Sequence, residues 1–211
     1  MLKKKLLETS GIYLVTDRRA LNGKDITLTI SQALKAGIDI IQYRDKEATD
    51  REFLETGKKI KDLLSKKDVL FIVDDRVEVA LALDADGVHL GQEDMPVKVA
   101  RSILGTKKII GLSTHSMRQM REGGKLDVDY ISVGPVFSTP TKPDYRAIGL
   151  ELIEIASQEL KIPFVAIGGI DESNIEDVSR AGARRIAVVR AILSSKDPFA
   201  AAKGLREVLK A

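Results

Sequence analysis

Asp75 in "VDDRVEVAL" and Asp94 in "GQEDMP" each follow an apolar run, and neither has a Cys or a nearby His to make a softer site. Oxygen-only donors of this kind suit Mg²⁺, which keeps several waters and commonly bridges one or two carboxylates to a phosphate. Arg44 and Lys46 in "QYRDK" and Lys142 in "STPTKPD" supply charge matched to a diphosphate held by such an ion. The same aspartates have a plainer reading. Asp75 can cap the helix that follows it, and Asp94 can belong to the helix start signalled by Met95-Pro96. The glycines of "AIGGIDESNIED", Gly168 and Gly169, follow an apolar run and precede a helix that Asp171 or Ser173 would cap. Backbone N–H groups there and in "VVRAI" could cradle a phosphate, although a tight turn that merely needs Gly explains the pair as well.

Two histidines complete the set of candidates. His89 lies between Val88 and Leu90 inside an apolar run and reads as a packed or supporting residue. His115 follows Ser113-Thr114 and reads as a hydrogen-bonding or capping group, with a general-base role as the alternative. No G-x-S-x-G, P-loop or dinucleotide fingerprint is present, so nothing calls for NAD or ATP.

The elements that must position these groups are legible as a repeat. "GIYLVTD", "DIIQYRD", "VLFIVDD", "DGVHLGQ", "KIIGLST", "DYISVGP", "PFVAIGG" and "RIAVVRA" are short, continuous and rich in β-branched residues, as strands covered on both faces should be. Segments of helical period lie between them, such as Ile30, Ala33 and Leu34, or Phe53, Leu54, Ile60, Leu63 and Leu64. The return from helix to strand is spelled alike in "KAGIDII", "LDADGVHL" and "RAGARRIAV", with a Gly or Asp placed to support a left-handed helix end. About eight such units over residues 1–211 predict a single-domain α/β chain folded as a compact (β/α)8 TIM barrel. A doubly wound open sheet is the alternative, since periodicity does not show closure. In a parallel barrel the carboxyl ends of all strands open on one face, so "QYRDK" sits where a buried strand emerges into a shared cleft. The segment "FSTPTKPDYRAIG" after the sixth strand is longer than a usual βα loop and carries placed Thr and Lys.

Composition bounds the partners. Of 211 residues, 34 are Lys or Arg and 31 Asp or Glu, a net +3 with both signs interspersed, so neither a nucleic-acid nor a membrane footprint is expected. The absence of Cys fits a reducing cytoplasm. "MLKKKLLETS" is too short in apolar residues for a signal sequence or a membrane span and reads as a first helical turn packed on the domain. The oligomeric state stays open, a homo-oligomer included.

Taken in order, "YLVTD", "QYRDK", "VDDRVEVAL", "ADGVHLGQED", "GLSTHS", "VGPVFSTPTK" and "AIGGI" resemble the thiamine-phosphate synthase family over essentially the whole chain. The resemblance implies that a pyrimidinylmethyl diphosphate loses pyrophosphate and is captured by the ring nitrogen of hydroxyethylthiazole phosphate. It implies Mg²⁺ on Asp75 and Asp94. It also implies that the "QYRDK" segment (Gln42, Tyr43, Arg44, Asp45 and Lys46), with Asp74, Ser113 and Lys142, faces the pyrimidine and its diphosphate, with Arg44, Lys46, Ser113 and Lys142 catalytic. Thr139, Pro140, Thr141, Gly169, Val189 and Arg190 would hold the thiazole phosphate. Two positions depart from the family pattern: Asp74 stands where Asn is usual, an acceptor without the amide donor, and Arg190 where Ser is frequent. The related thiazole tautomerases, which would make His115 the acid/base, and a non-catalytic phosphate-ligand sensor on the same barrel are the competing readings.

Overall fold

The computed structural model describes residues 7–9, 11–141 and 145–210. Lys142, and residues 1–6 of the segment expected to form a first helical turn, lie outside the described residues.

Eight strands form: β1 (Ile12–Val15), β2 (Ile40–Tyr43), β3 (Leu70–Asp74), β4 (Gly87–Leu90), β5 (Ile109–Thr114), β6 (Tyr130–Val133), β7 (Phe164–Ile167) and β8 (Ile186–Val188). Each pairs in parallel with the next, and β8 returns to β1 through Ile12↔Ile186 and Leu14↔Val188. The sheet is therefore a closed barrel, and the open doubly wound alternative is set aside. Around it run α1 (Arg18–Leu21), α2 (Ile26–Lys35), α3 (Asp50–Leu64), α4 (Val77–Ala82) and α5 (Val97–Leu104). The ring continues through α6 (Met117–Gly123), α7 (Glu151–Glu159), α8 (Ile175–Arg180), α9 (Arg190–Leu193) and α10 (Pro198–Lys210). Among the described residues no helix is long and apolar enough to cross a membrane.

Side-chain alternation along each short strand divides the core in two. Outward residues such as Leu14, Ile41, Val73, Val88, Ile110 and Ile131 pack under the helices, whereas Tyr13, Val15, Ile40, Leu70, Ile72, Ile109, Tyr130, Val165 and Ala187 fill the barrel interior. Each fully buried Ile, Leu or Val in these layers contributes roughly 1.5–3 kcal/mol relative to exposure. The helices present matching apolar stripes. In α3 the Thr49 hydroxyl accepts from the Glu52 amide while the Glu52 carboxylate accepts from the Thr49 amide, a reciprocal cap that fixes the helix start and aims Phe53, Ile60 and Leu64 inward.

The repeated helix-to-strand spelling does two jobs. Gly37 (φ +91°), Asp84 (φ +45°) and Gly182 (φ +99°) adopt the left-handed backbone expected just past a helix end. Three further aspartates do something else. Asp39 Oδ2 accepts from the Gly11 and Ile12 amides at 2.8 and 3.0 Å, Asp86 Oδ2 from Phe71 at 2.8 Å, and Asp129 Oδ2 from Ile110 at 2.9 Å. Each aspartate precedes an even-numbered strand and fastens it to the odd-numbered strand before it. The amino-terminal rim is thus fixed by polar staples, which leaves the carboxyl rim for chemistry.

Candidate active site

The carboxyl ends of the strands surround a cavity of about 410 Å³, within the size range of a small-molecule site. Among the residues lining it are Gln42, Arg44, Asp74, Ser113, Thr139, Pro140, Thr141, Gly169, Val189 and Arg190. These come from the ends of five strands, β2, β3, β5, β7 and β8, and from the long loop after β6, so closure of the barrel brings together residues far apart in the chain.

Strand alternation decides which parts of "QYRDK" reach the cavity. Gln42 points inward, is 4% exposed and donates from Nε2 to the Tyr13 hydroxyl at 3.0 Å. Tyr43, one residue on, points outward and is buried against Phe53 with ring centroids 4.1 Å apart. Its hydroxyl is pushed up to about 12 by burial. The Tyr43 side chain is therefore part of the core and does not line the cavity. The Asp45 side chain does not line the cavity either. Its carboxylate joins Arg18 at 2.7 Å and accepts from the Glu47 and Ala48 amides at 3.1 Å each, which fixes the turn into α3.

Arg44 is held from both sides. Its backbone exchanges hydrogen bonds with the Thr16 hydroxyl, its guanidinium meets Asp17 at 2.6 Å, and its Nε lies 3.5 Å from Asp74. Lys46, half-exposed at the rim, reaches 3.6 Å from Asp74 and is ion-paired with Asp75. Asp74 thus faces two cations at the cavity wall, and Asp75 faces one outside it. Asp75 also adopts φ +58°, a left-handed conformation uncommon for a non-glycine residue and frequent at functional sites. Its amide donates to the His89 carbonyl at 2.8 Å. Its carboxylate makes no cap on α4, whose N-cap position is Arg76 and which has no side-chain cap bond.

Asp94 follows β4, the neighbour of β3, and accepts from the Gly91 amide at 2.6 Å. Asp75 and Asp94 therefore leave the barrel at one rim from adjacent strands. Among the described residues no three His, Cys, Asp or Glu side chains cluster as a ready-made metal cage. Two carboxylates fit Mg²⁺ nonetheless, because that ion completes its shell with waters and substrate oxygens; the Lys46 ammonium on Asp75 marks this edge as one that attracts positive charge.

At the other side, Gly168 (φ +105°) and Gly169 (φ +66°) turn sharply after β7. A Cβ on Gly169 would lie 2.8 Å from both Phe137 Cβ and Ser138 O, so close packing against the long loop requires glycine there. The following α8 is preceded by Asn174, whose side chain donates to the Gly169 carbonyl at 2.9 Å. Asp171 and Ser173 hydrogen-bond each other instead of capping the helix as expected. His115 has Nδ1 2.6 Å from the Gly134 carbonyl and its ring 4.2 Å from that of Tyr145.

Beneath the cavity lie groups that sequence reasoning missed, Tyr13, Tyr130 and Ser132, together with His89, which it read as a packed or supporting residue. Tyr13, His89, Tyr130 and Ser132 are buried inside the barrel and hydrogen-bonded to one another or to Ser113. Burial holds both the Tyr13 and the Tyr130 hydroxyls far above the usual phenol range, with the Asp74 charge adding to the effect. The signal was present: these residues share the inward parity of Gln42 on their strands.

The family model described as thiamine monophosphate synthase matches residues 12–192. A thiamine-phosphate synthase of Prochlorococcus marinus (strain MIT 9313) is 45% identical over 209 residues, covering 99% of this chain and 59% of the relative. This chain thus spans about three-fifths of that relative's length. A thiamine-phosphate synthase of Syntrophomonas wolfei subsp. wolfei is 46% identical over 199 residues, 94% of this chain and 95% of the relative. Among solved structures, a thiamine phosphate pyrophosphorylase from Pyrococcus furiosus superposes with a TM-score of 0.89 at 41% identity, covering 97% of this chain and 98% of that one.

Proposed function

The chain belongs to the thiamine monophosphate synthase family, and from that premise we propose that it joins a pyrimidinylmethyl diphosphate to hydroxyethylthiazole phosphate, giving thiamine phosphate and pyrophosphate. One observation carries the reading. Gln42, Arg44, Asp74, Ser113, Thr139, Thr141, Gly169 and Arg190 line one cavity, with Lys46 and Asp75 paired at its edge.

In this reading Gln42 and Asp74 face the pyrimidine, and Arg44, Lys46, Ser113 and Lys142 contact its diphosphate. Asp75 and Asp94 hold Mg²⁺, which when bound supplies charge neutralisation to the departing pyrophosphate. Departure builds negative charge on the leaving group and positive charge on the pyrimidinylmethyl carbon. Cations fixed before the reaction stabilise the former without reorganising. Arg44 is such a cation, braced by Asp17 and Asp74. Thr139, Pro140, Thr141, Gly169, Val189 and Arg190 place the thiazole phosphate so that the ring nitrogen meets the cation as it forms, a gain from orientation alone. No side-chain nucleophile is needed. Asp74, with two cations near it, acts as an acceptor for substrate donors while balancing the local charge. The whole chain works as one catalytic domain in this proposal, and a cytoplasmic setting accords with a chain free of cysteine.

The test is product formation by the purified chain. With both substrates and Mg²⁺ it should yield thiamine phosphate and pyrophosphate, and pyrophosphate release should need the thiazole partner or water as acceptor. Rearrangement of a thiazole without pyrophosphate release would instead support the tautomerase reading, and no turnover with any combination would overturn catalysis.

A further inference from the structure

A chain of hydrogen bonds crosses the barrel interior beneath the cavity. Gln42 Nε2 lies 3.0 Å from the Tyr13 hydroxyl, which lies 2.8 Å from the Tyr130 hydroxyl. That hydroxyl is 2.9 Å from His89 Nδ1, and His89 Nε2 is 2.9 Å from Ser113 Oγ. Every residue in the chain is buried. Gly111 makes the room: a Cβ there would lie 2.2 Å from Tyr130 Cζ and 2.5 Å from His89 Nδ1.

Proton counting gives the chain a direction. An amide nitrogen only donates, so the Tyr13 oxygen accepts from Gln42 and its single hydrogen goes on to Tyr130. Tyr130 then spends its own hydrogen on His89 Nδ1, which must present a lone pair. A neutral imidazole with an accepting Nδ1 carries its proton on Nε2 and donates to Ser113. Ser113 Oγ has accepted, so its hydrogen remains to be given elsewhere. We infer that Tyr13, Tyr130 and His89 form a one-way relay that fixes His89 as the Nε2–H tautomer and leaves Ser113 as a donor to an anionic ligand group.

The other end is set at the same time. With one of its two amide hydrogens given to Tyr13, the Gln42 amide is fixed in orientation and its carbonyl oxygen is available as an acceptor for an amino group on the ligand. The relay thus encodes a polarity across the site, acceptor on the β2 side and donor on the β5 side, matching an amine-bearing ring joined to a phosphate. Tyr13, Tyr130 and His89 act as positioning residues. The elevated phenol pKa values keep both tyrosines protonated, as the relay requires. The direction of the relay follows from the orientation of the Gln42 amide, whose nitrogen faces Tyr13; the identity of the anion as a diphosphate rests on the function proposed above.

The test uses the intact chain labelled with ¹⁵N and long-range ¹H–¹⁵N correlation of its two imidazoles, His115 being assigned by His115→Gln. His89 should show a protonated Nε2 and an unprotonated Nδ1. The opposite tautomer, or protons on both nitrogens, would overturn the relay without any variant. Tyr130→Phe removes the donor to Nδ1, so the single tautomer should give way to a mixture, and inorganic pyrophosphate with Mg²⁺ should bind roughly fivefold more weakly, the effect of losing one oriented hydrogen bond. Tyr13→Phe removes the group that commits the Tyr130 hydrogen to Nδ1, so it too should give a mixture of tautomers. A tautomer unchanged in Tyr130→Phe would contradict the inference. A chain with the expected tautomer but no thiamine phosphate production keeps the relay and removes the proposed function; the converse removes the relay alone.

Discussion

At the scale of the residue, position within a strand outweighs residue type. Gln42 and Tyr43 are neighbours and both polar-tipped, yet one faces the cavity and the other packs on Phe53, because successive side chains on a strand point to opposite faces. The charged motif was legible in the sequence as a strand end opening on a cleft. Which of its members touch the cleft was not, since the apolar run gives no inward or outward pattern when both faces are buried. Parity counted from Gln42 would have brought in Tyr13, His89, Tyr130 and Ser132. Asp94 is where residue chemistry is most exposed to test. Its carboxylate already accepts from the Gly91 amide, so Asp94→Ala removes both a proposed metal ligand and a loop tie. Even outer-shell partners of metal ligands cost about 10–100-fold in affinity or activity. Asp94→Ala should therefore lower Mg²⁺-dependent turnover by at least about tenfold, measured at saturating substrates, with an unchanged circular dichroism spectrum. Activity equal to wild type would remove Asp94 from the metal site.

At the scale of the element, stability and chemistry occupy opposite ends of the barrel. Asp39 and Asp86 were legible only as part of the helix-to-strand spelling and Asp129 only as the start of a strand run, because hydrogen bonds to an adjacent strand depend on barrel geometry that local spelling does not carry. The helices themselves were legible: the apolar spacing of Phe53, Ile60 and Leu64 gives the buried stripe of α3. Asp129 shows what the staples contribute. It accepts from the Ile110 amide and pairs with Arg101 at 2.8 Å, with side chains only 9% and 10% exposed. Asp129→Ala leaves the Ile110 amide without this partner while Arg101 keeps Asp127 and the carbonyls of Gly105 and Lys108, and leaving a buried polar group unsatisfied costs about 1–3 kcal/mol. Urea unfolding should show that loss, with substrate affinity unaltered in the folded fraction because the change lies at the far rim. A loss below about 1 kcal/mol, the scale of a surface pair, would show the staple to be decorative.

At the scale of the whole molecule, closure is what turns scattered residues into a site. The number and order of strands could be read from the repeat, but closure could not, because it resides in the β8–β1 pairing and each strand looks alike from its own sequence. Once the sheet closes, the ends of β2, β3, β4 and β5 place Arg44, Lys46, Asp74, Asp75, Asp94 and Ser113 on one rim, and the ends of β7 and β8 place Gly169 and Arg190 across from them. The account depends on that rim capturing a diphosphate through a shared Mg²⁺. Calorimetric titration of the intact protein with inorganic pyrophosphate, with and without Mg²⁺, tests this most directly. Binding should be strongly dependent on Mg²⁺ and saturate at one pyrophosphate per chain; equal affinity with the metal chelated, or no binding at all, would contradict the account.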